Sequence, residues 1–454
     1  MAFSPQQTIL ELGEAFYDPV EAAAFPKAIL RFRNDRAAAQ VGLADLDDDR
    51  WIAHFARFEP LPGSLARPLA LRYHGHQFRV YNPDIGDGRG FLFAQLREGG
   101  GDGRGRLLDL GTKGSGTTPY SRFGDGRLTL KGGVREVLAT EMLEALGVET
   151  SRSFSLIETG EALVRGDEPS PTRSSVLVRL SHGHIRIGTF QRLAYFGQEA
   201  EMARLAAYVL RHLHGEEPGA EPALQLLGNV VARTARLAGR FMAAGFVHGV
   251  LNSDNINVTG ESFDYGPWRW APEWDPAFTA AYFDQQGLHA FGRQPEAIYW
   301  DAMQLAASLT LIAPQEELAG VLEGFGARYQ EEVAAALLWR LGVVPRGAAE
   351  DSHLIAAMER ALNGSGVGLD RFFFDFFGGA RPAGYPARFD GFAAQLAAYA
   401  PRKSRDHPYW RNPEPCAMLI DEVEAIWAAI DREEDWAPFT HKIAAVRAMG
   451  DALK

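Results

Sequence analysis

Apolar and polar positions alternate differently along three stretches of the chain. From residue 71 to 190 the apolar runs are short, as at Gly90–Leu96 and Leu107–Leu110, and glycine-rich turns separate them, which predicts antiparallel strands. One segment breaks that rhythm. Val134, Val137, Leu138 and Met142 form an apolar stripe at helical spacing and Gly147 ends it, so a helix is expected from about Gly133 to Leu146. From residue 196 onward the spacing is helical: Met202, Leu205, Val209 and Leu213 line one helix, Leu227, Val230, Val231, Leu237 and Phe241 a second, and Met303 to Leu309 belong to a third. Residues 1–70 mix short apolar stretches with Pro26, Pro60, Pro62 and Pro68 and read as an extension packed on the body. The expected architecture is α+β: a β-rich lobe with one helix over 71–195, a larger helical lobe over 196–454, and N- and C-terminal extensions.

Bulk properties narrow the classes of function. The 454 residues are 46% hydrophobic and 23% charged, an ordinary globular composition with a sizeable core. A net charge of -12 sets a repulsive field against nucleic acid, and the basic clusters at Arg31–Arg36 and Arg402–Arg405 read as solvated surface, so no nucleic-acid partner is expected. The single cysteine, Cys416, excludes an intrachain disulfide and a Cys-rich zinc site. The first residues lack a basic and then apolar leader pattern and no run of 18 apolar residues occurs, so a cytoplasmic chain without a membrane partner is expected.

Candidate chemistry begins with glycine. GDGR occurs at Gly86–Arg89, Gly101–Arg104 and Gly124–Arg127; the spacings are unequal, and the middle copy, between two strand-like runs, reads as a hairpin turn. In NPDIGDGRGFLF the glycines let backbone N–H groups approach phosphates without interference from Cβ atoms. A strand-like run then delivers Lys113, and Glu136 follows 23 residues later on the predicted helix. Kinase-like sites use this order, because a strand lysine that touches phosphates needs a helix carboxylate to orient it.

The segment FVHGVLNSDNINVTGESFDYG follows a long apolar-striped helix. Asn255 lies seven residues after His248, the spacing of a kinase H-R-D-x-x-x-x-N loop, and Asp264-Tyr265-Gly266 mimics D-F-G. Both Asn255 and Asp264 offer hard oxygen ligands suited to Mg²⁺. Val250 stands where the kinase base would be, and Asp254 is the candidate replacement. VLVRLSHGHIRIGTF adds Arg179 and Arg186, whose guanidinium forks suit polyphosphate oxygens. His74 and His76, like His182 and His184, look like metal pairs on alternating strand positions, but no third ligand is near in sequence and structural hydrogen bonding is the expectation.

With YHGHQF, GDGR, KGSGTTPYSRFGDGR, Ser181–Gly188, HGVLNSDN, DYGP and FDQQGLHAFGRQP in order, the chain resembles the selenoprotein O family, called YdiU in bacteria, of kinase-fold protein adenylyltransferases. The likeness runs from about Tyr73 to Leu309, half of the chain, with the C-terminal third matching poorly and Arg79 standing where a glycine is usual. The resemblance implies ATP bound flipped relative to ordinary kinases, with AMP passing to Ser, Thr or Tyr hydroxyls of protein substrates. It implies nucleotide contacts from Gly86, Gly88, Arg89, Lys113, Asp125, Gly126, Arg179, Arg186 and Asp264, and Glu136 paired with Lys113. Asn255 and Asp264 would hold Mg²⁺ or Mn²⁺, with Asp254 as proton acceptor. Phosphoryl transfer, UMP transfer, or an inactive ATP-binding pseudokinase are the alternatives on the same fold.

Overall fold

A computed structural model describes residues 2–99, 105–166, 168–380 and 382–454; the middle GDGR copy lies outside the described residues. In chain order the first elements are β1 (Pro5–Gln6), β2 (Tyr17–Pro19), β3 (Ile29–Arg33), α1 (Asp35–Gln40), α2 (Asp48–Phe55), β4 (Leu69–Leu71), β5 (Gly75–Gln77), β6 (Val80–Asn82), β7 (Leu92–Arg97), β8 (Leu107–Lys113) and β9 (Leu128–Thr129). There follow α3 (Leu130–Ala145), β10 (Arg152–Leu163), β11 (Thr172–Ser181), α4 (Ile187–Tyr195), α5 (Glu199–Tyr208), α6 (Pro222–Ala244), β12 (Phe246–Val247), β13 (Arg269–Trp270) and α7 (Gln294–Leu309). Further helices continue to Leu453.

Among the described residues, nine strands form one antiparallel sheet in the order β2-β4-β7-β8-β11-β10-β3, with β1 on β7 and β9 on β11. Its central strands are apolar on both faces: Leu108, Leu110, Val176 and Val178 face a core with Trp51, Phe55, Phe93 and Phe154, while Leu107, Leu156 and Leu177 face the core shared with α3. The first 70 residues are built into this sheet, since β2 and β3 form its two ends.

Helix α3 forms where its stripe predicts. The Thr129 hydroxyl accepts from the Gly132 N–H at its start, Val134, Val137, Leu138 and Met142 are fully buried, and Gly147 leaves it at φ 78°. The predicted Met202–Leu213 helix is α5, continued by a wider π-type turn over Val209–His214. α6 begins with Pro222, buries the predicted stripe and ends at Gly245, φ 69°, which turns the chain into β12 and the segment that follows. No helix among the described residues is long and apolar enough to cross a membrane.

The expectation of histidine pairs on alternating strand positions holds only in part. β11 ends at Ser181, so His182 and His184 lie beyond it, and of His74 and His76 only His76 is on a strand. Each ring but one is tied locally: His74 Nδ1 meets the Tyr81 hydroxyl at 2.8 Å, His76 Nδ1 meets Gln191 Nε2 at 2.7 Å, and His184 sits between Ser181 and Asp109, 3.4 Å from each.

Candidate active site

A cavity of about 780 Å³ opens between the sheet and the turns after β12. β8 and β11 supply its inner cations. Lys113 pairs across to Leu177 and Arg179 to Gly111, and because strand side chains alternate with a period of two, Lys113 and Arg179 emerge on the same face. Gly111 is needed there, since a Cβ would come within 2.6 Å of the His184 ring. Lys113 bonds the Glu136 carboxylate from α3, with both side chains buried. The expected strand-lysine and helix-glutamate pair is present.

Arg186, at the start of α4, completes the cationic group. Its Nη1 donates to Asp264 Oδ2 at 2.9 Å and to the Asp254 carbonyl at 2.8 Å, and its Nη2 lies 3.4 Å from Asp87 Oδ1. Arg179 bonds Asp264 Oδ1, and Lys113 Nζ is 3.4 Å from the same oxygen. Burial opposes the charge on Asp264, yet Arg179, Lys113 and Arg186 together hold its carboxyl well below the usual range. Asp264 has φ 61°, a left-handed conformation that aspartate tolerates better than most residues.

The Asn252–Asn255 turn is fixed from several sides. The Ser253 hydroxyl accepts from the His76 N–H at 2.7 Å and donates to Gln191 Oε1 at 2.6 Å, while Asn252 Oδ1 accepts from the Phe78 N–H at 2.9 Å. The β5–β6 hairpin is thereby stitched to the turn that carries Asp254. Gly75 lets it approach, since a Cβ there would lie 2.8 Å from that of Asp254. At the hairpin's tip Phe78 and Arg79 have φ of 50° and 63°, which explains why glycine suits position 79. Asp254 is buried, its Oδ1 has no hydrogen-bond partner, and burial pushes its carboxyl up to about 6 against the pull of Arg186. Asn255 Nδ2 donates to the Val250 carbonyl at 3.0 Å, which commits the amide nitrogen and leaves the amide oxygen as a ligand atom.

The cavity wall brings together every residue expected from the sequence to serve the nucleotide and its metal except Glu136, which lies behind Lys113. Gly86, Gly88, Arg89, Lys113, Asp125, Gly126, Arg179, Arg186, Asp254, Asn255 and Asp264 all line it. The glycines serve packing as well as access: a Cβ on Gly86 would lie 2.5 Å from the Tyr120 ring and one on Gly88 2.9 Å from the Tyr120 carbonyl oxygen. The Asp125 carboxylate is engaged with Arg165 at 2.8 and 3.0 Å.

Sequence reasoning missed Asp87, Gln77 and Tyr73. Asp87 lies inside the quoted GDGR motif, accepts from the Leu71 N–H at 3.0 Å, and burial pushes its carboxyl up despite Arg186. Gln77 lines the same cavity as Asp254, and the Tyr73 ring lies under the Arg186 guanidinium at 4.4 Å. Among the described residues no group of three or more His, Cys, Asp or Glu is placed to hold a metal ion. The donor set that remains, one amide oxygen and one carboxylate on the wall of a cavity roomy enough for a polyphosphate, fits a hard cation that takes its other ligands from phosphate and water.

Comparison with known proteins fits this arrangement. The family model described as protein adenylyltransferase SelO matches residues 1–382. The chain belongs to the SelO family. It is a nucleotidyltransferase. Relatives named protein nucleotidyltransferase YdiU include one from Gloeobacter violaceus, 44% identical over 96% of this chain and 93% of its own length. Another, from Synechocystis sp., is 42% identical over 94% of each chain, and one from Synechococcus elongatus is 48% identical over 80% of this chain and 73% of its own. The SelO match therefore reaches beyond Tyr73–Leu309, to residue 1 on one side and residue 382 on the other, and the alignments with the YdiU relatives cover most of the chain.

Proposed function

We propose that this chain transfers AMP from ATP to Ser, Thr or Tyr hydroxyls of proteins, in the cleft of a kinase-like two-lobed fold. The division into an extension (1–70), a β-rich lobe (71–195) and a helical lobe (196–454) belongs to this reading, as does a cytoplasmic setting. One observation carries it: a carboxylate with a free oxygen and raised pKa, Asp254, shares a cavity wall with three buried cations grouped on one aspartate.

In this reading Lys113, Arg179, Arg186 and Arg89 receive the phosphate chain, and Glu136 keeps Lys113 aimed at it. Gly86, Gly88 and Gly126 let backbone approach, and Asp125 contacts the nucleotide from the rim. Asn255 and Asp264 are the residues that would hold Mg²⁺ or Mn²⁺, which supplies neutralisation of phosphate charge when bound. An acceptor hydroxyl attacks the α-phosphorus, its proton passes to Asp254, the bond to the bridging oxygen breaks, and pyrophosphate leaves. Fixed cations stabilise the charge that develops, the usual source of rate in such transfers.

Incubation with ATP labelled with ³²P at the α or the γ position tests the reading. Label retained on protein from the α position alone is expected. Retention from the γ position alone would instead establish a phosphotransferase using Asp254 as base, and competition by UTP separates UMP transfer. The valine at 250, where a kinase keeps its base, favours one further reading, an inactive ATP-binding module; it predicts ATP binding with no Mg²⁺-dependent label transfer.

A further inference from the structure

The cavity is asymmetric. Its inner end holds Lys113, Arg179 and Arg186, with side chains only 8%, 5% and 4% exposed. Its mouth is mixed: beside the exposed Arg89, Arg122 and Asp125 it carries two large apolar side chains, Phe123 and Val164, that line the opening and stand out into solvent. A nucleoside triphosphate has the same asymmetry, with a polyanion at one end and a flat base at the other. Electrostatics draws the polyanion to the buried cations, so the base is left at the mouth.

Single exposed apolar side chains are common on proteins, but the backbone that presents Phe123 is not an ordinary surface loop. Its base is pinned to the glycine turn below it: the Thr118 and Ser121 hydroxyls donate to the carbonyls of Asp87 and Gly88, and the Tyr120 hydroxyl donates to the Asp18 carboxylate. The Gly124 N–H then donates to the Ser121 carbonyl at 2.7 Å and closes a tight turn. Within that turn Arg122 has φ 54°, a left-handed conformation that costs a non-glycine residue about 1 kcal/mol or more. Arg122 and Phe123 thus form a pinned tip on the rim of the cavity, and among the described residues no packing requires the fully exposed phenyl ring there.

We infer that the Phe123 ring at this tip is the platform on which the nucleobase of the bound nucleotide stacks. The inference rests on the nucleotide-transfer reading above and adds a residue that determines affinity for the base. Phe123 makes no contribution to phosphate binding or to proton transfer. It acts on the ground-state affinity for nucleotide.

The test compares ATP with inorganic tripolyphosphate, which keeps the polyanion and lacks the base. Each is titrated with Mg²⁺ by calorimetry into the full chain, Phe123→Ala and Phe123→Trp. Phe123→Ala is expected to weaken ATP about tenfold, the size of one base–aromatic stack, and to leave tripolyphosphate unchanged; Phe123→Trp retains ATP affinity. Equal losses for both ligands, no loss in Phe123→Ala, or intact ATP affinity with a raised KM for the acceptor protein would each overturn the platform while leaving nucleotide transfer standing. A wild-type chain that binds neither ligand overturns the transfer reading and the platform together.

Discussion

The turn at Asn252–Asn255 and the turn at Phe263–Gly266 each bring one aspartate into the same cavity, and there the resemblance stops. Asp264 meets Lys113, Arg179 and Arg186 and is held firmly ionised, while Asp254 at similar depth keeps one oxygen unpartnered and is pushed up to about 6. Arg186 is the shared neighbour, yet it gives its guanidinium to the carboxylate of Asp264 and only to the backbone carbonyl of Asp254. The difference teaches that a role follows from the partners, because two carboxylates with separated pKa values can divide charge holding from proton acceptance. Between them in sequence, Glu261 is a third case: buried away from the cavity lining and bonded by the His182 N–H at 2.8 Å, its carboxyl is pushed up to about 7 by burial without any place in the chemistry.

Breaking the Asp264 side has the largest expected effect. Asp264→Ala leaves Arg179 without a carboxylate partner and strips Lys113 and Arg186 of one each, so label transfer falls by at least about 10³-fold and thermal stability falls by several kcal/mol, read by calorimetry. Asp254→Asn is expected to slow transfer by about 10² to 10⁴ at unchanged ATP affinity, with stability equal or higher because a desolvated acid becomes neutral. If Asp254→Asn weakened ATP as much as Asp264→Ala, the division of labour would be wrong. Glu261→Gln sharpens the contrast from outside the site. A carboxyl raised in the folded state stabilises fully below its unfolded pKa near 4.5, and that contribution is lost as pH rises through about 7. The variant should therefore unfold at the same or a higher temperature than wild type at pH 8, and lose that advantage near pH 5, with label transfer unchanged at pH 8. The smallest effect belongs to Arg79→Gly, which relieves the left-handed strain that Arg79 shares with Asp264 and gives up an exposed Glu296 pair; a gain of about 1 kcal/mol or less is expected in denaturant titrations.

Much of this was legible in the sequence because it is local. The period of apolar residues located α3, α5, α6 and the β7–β8 strands, and the order of Lys113, Glu136, Asn255 and Asp264 anticipated side chains that line or back one cavity. What stayed hidden depends on distance rather than order. Nothing in GDGR tells that Asp87 would face Arg186, and nothing in YHGHQF tells that Gly75 would press against Asp254 or that Gln77 would line the same cavity. The arginines were read as phosphate ligands, but their present partner, the Asp264 carboxylate, is 85 and 78 residues away in the chain. The histidines were expected to serve structural hydrogen bonds, and the rings of His74, His76 and His184 do; only their placement on alternating strand positions failed, because β11 stops at Ser181.

The placement of β2 and β3 at opposite ends of the sheet has a consequence for how the chain comes to be folded. The residues synthesised first must wait for partners made later: β3 pairs with β10, more than a hundred residues downstream, and β2 with β4. Until β3 docks, β10 offers a long row of unpaired N–H and C=O groups to any neighbouring strand. The amino-terminal segment is thus a built-in guard against edge-to-edge association, and a truncated protein lacking it would be expected to aggregate before it failed to bind nucleotide.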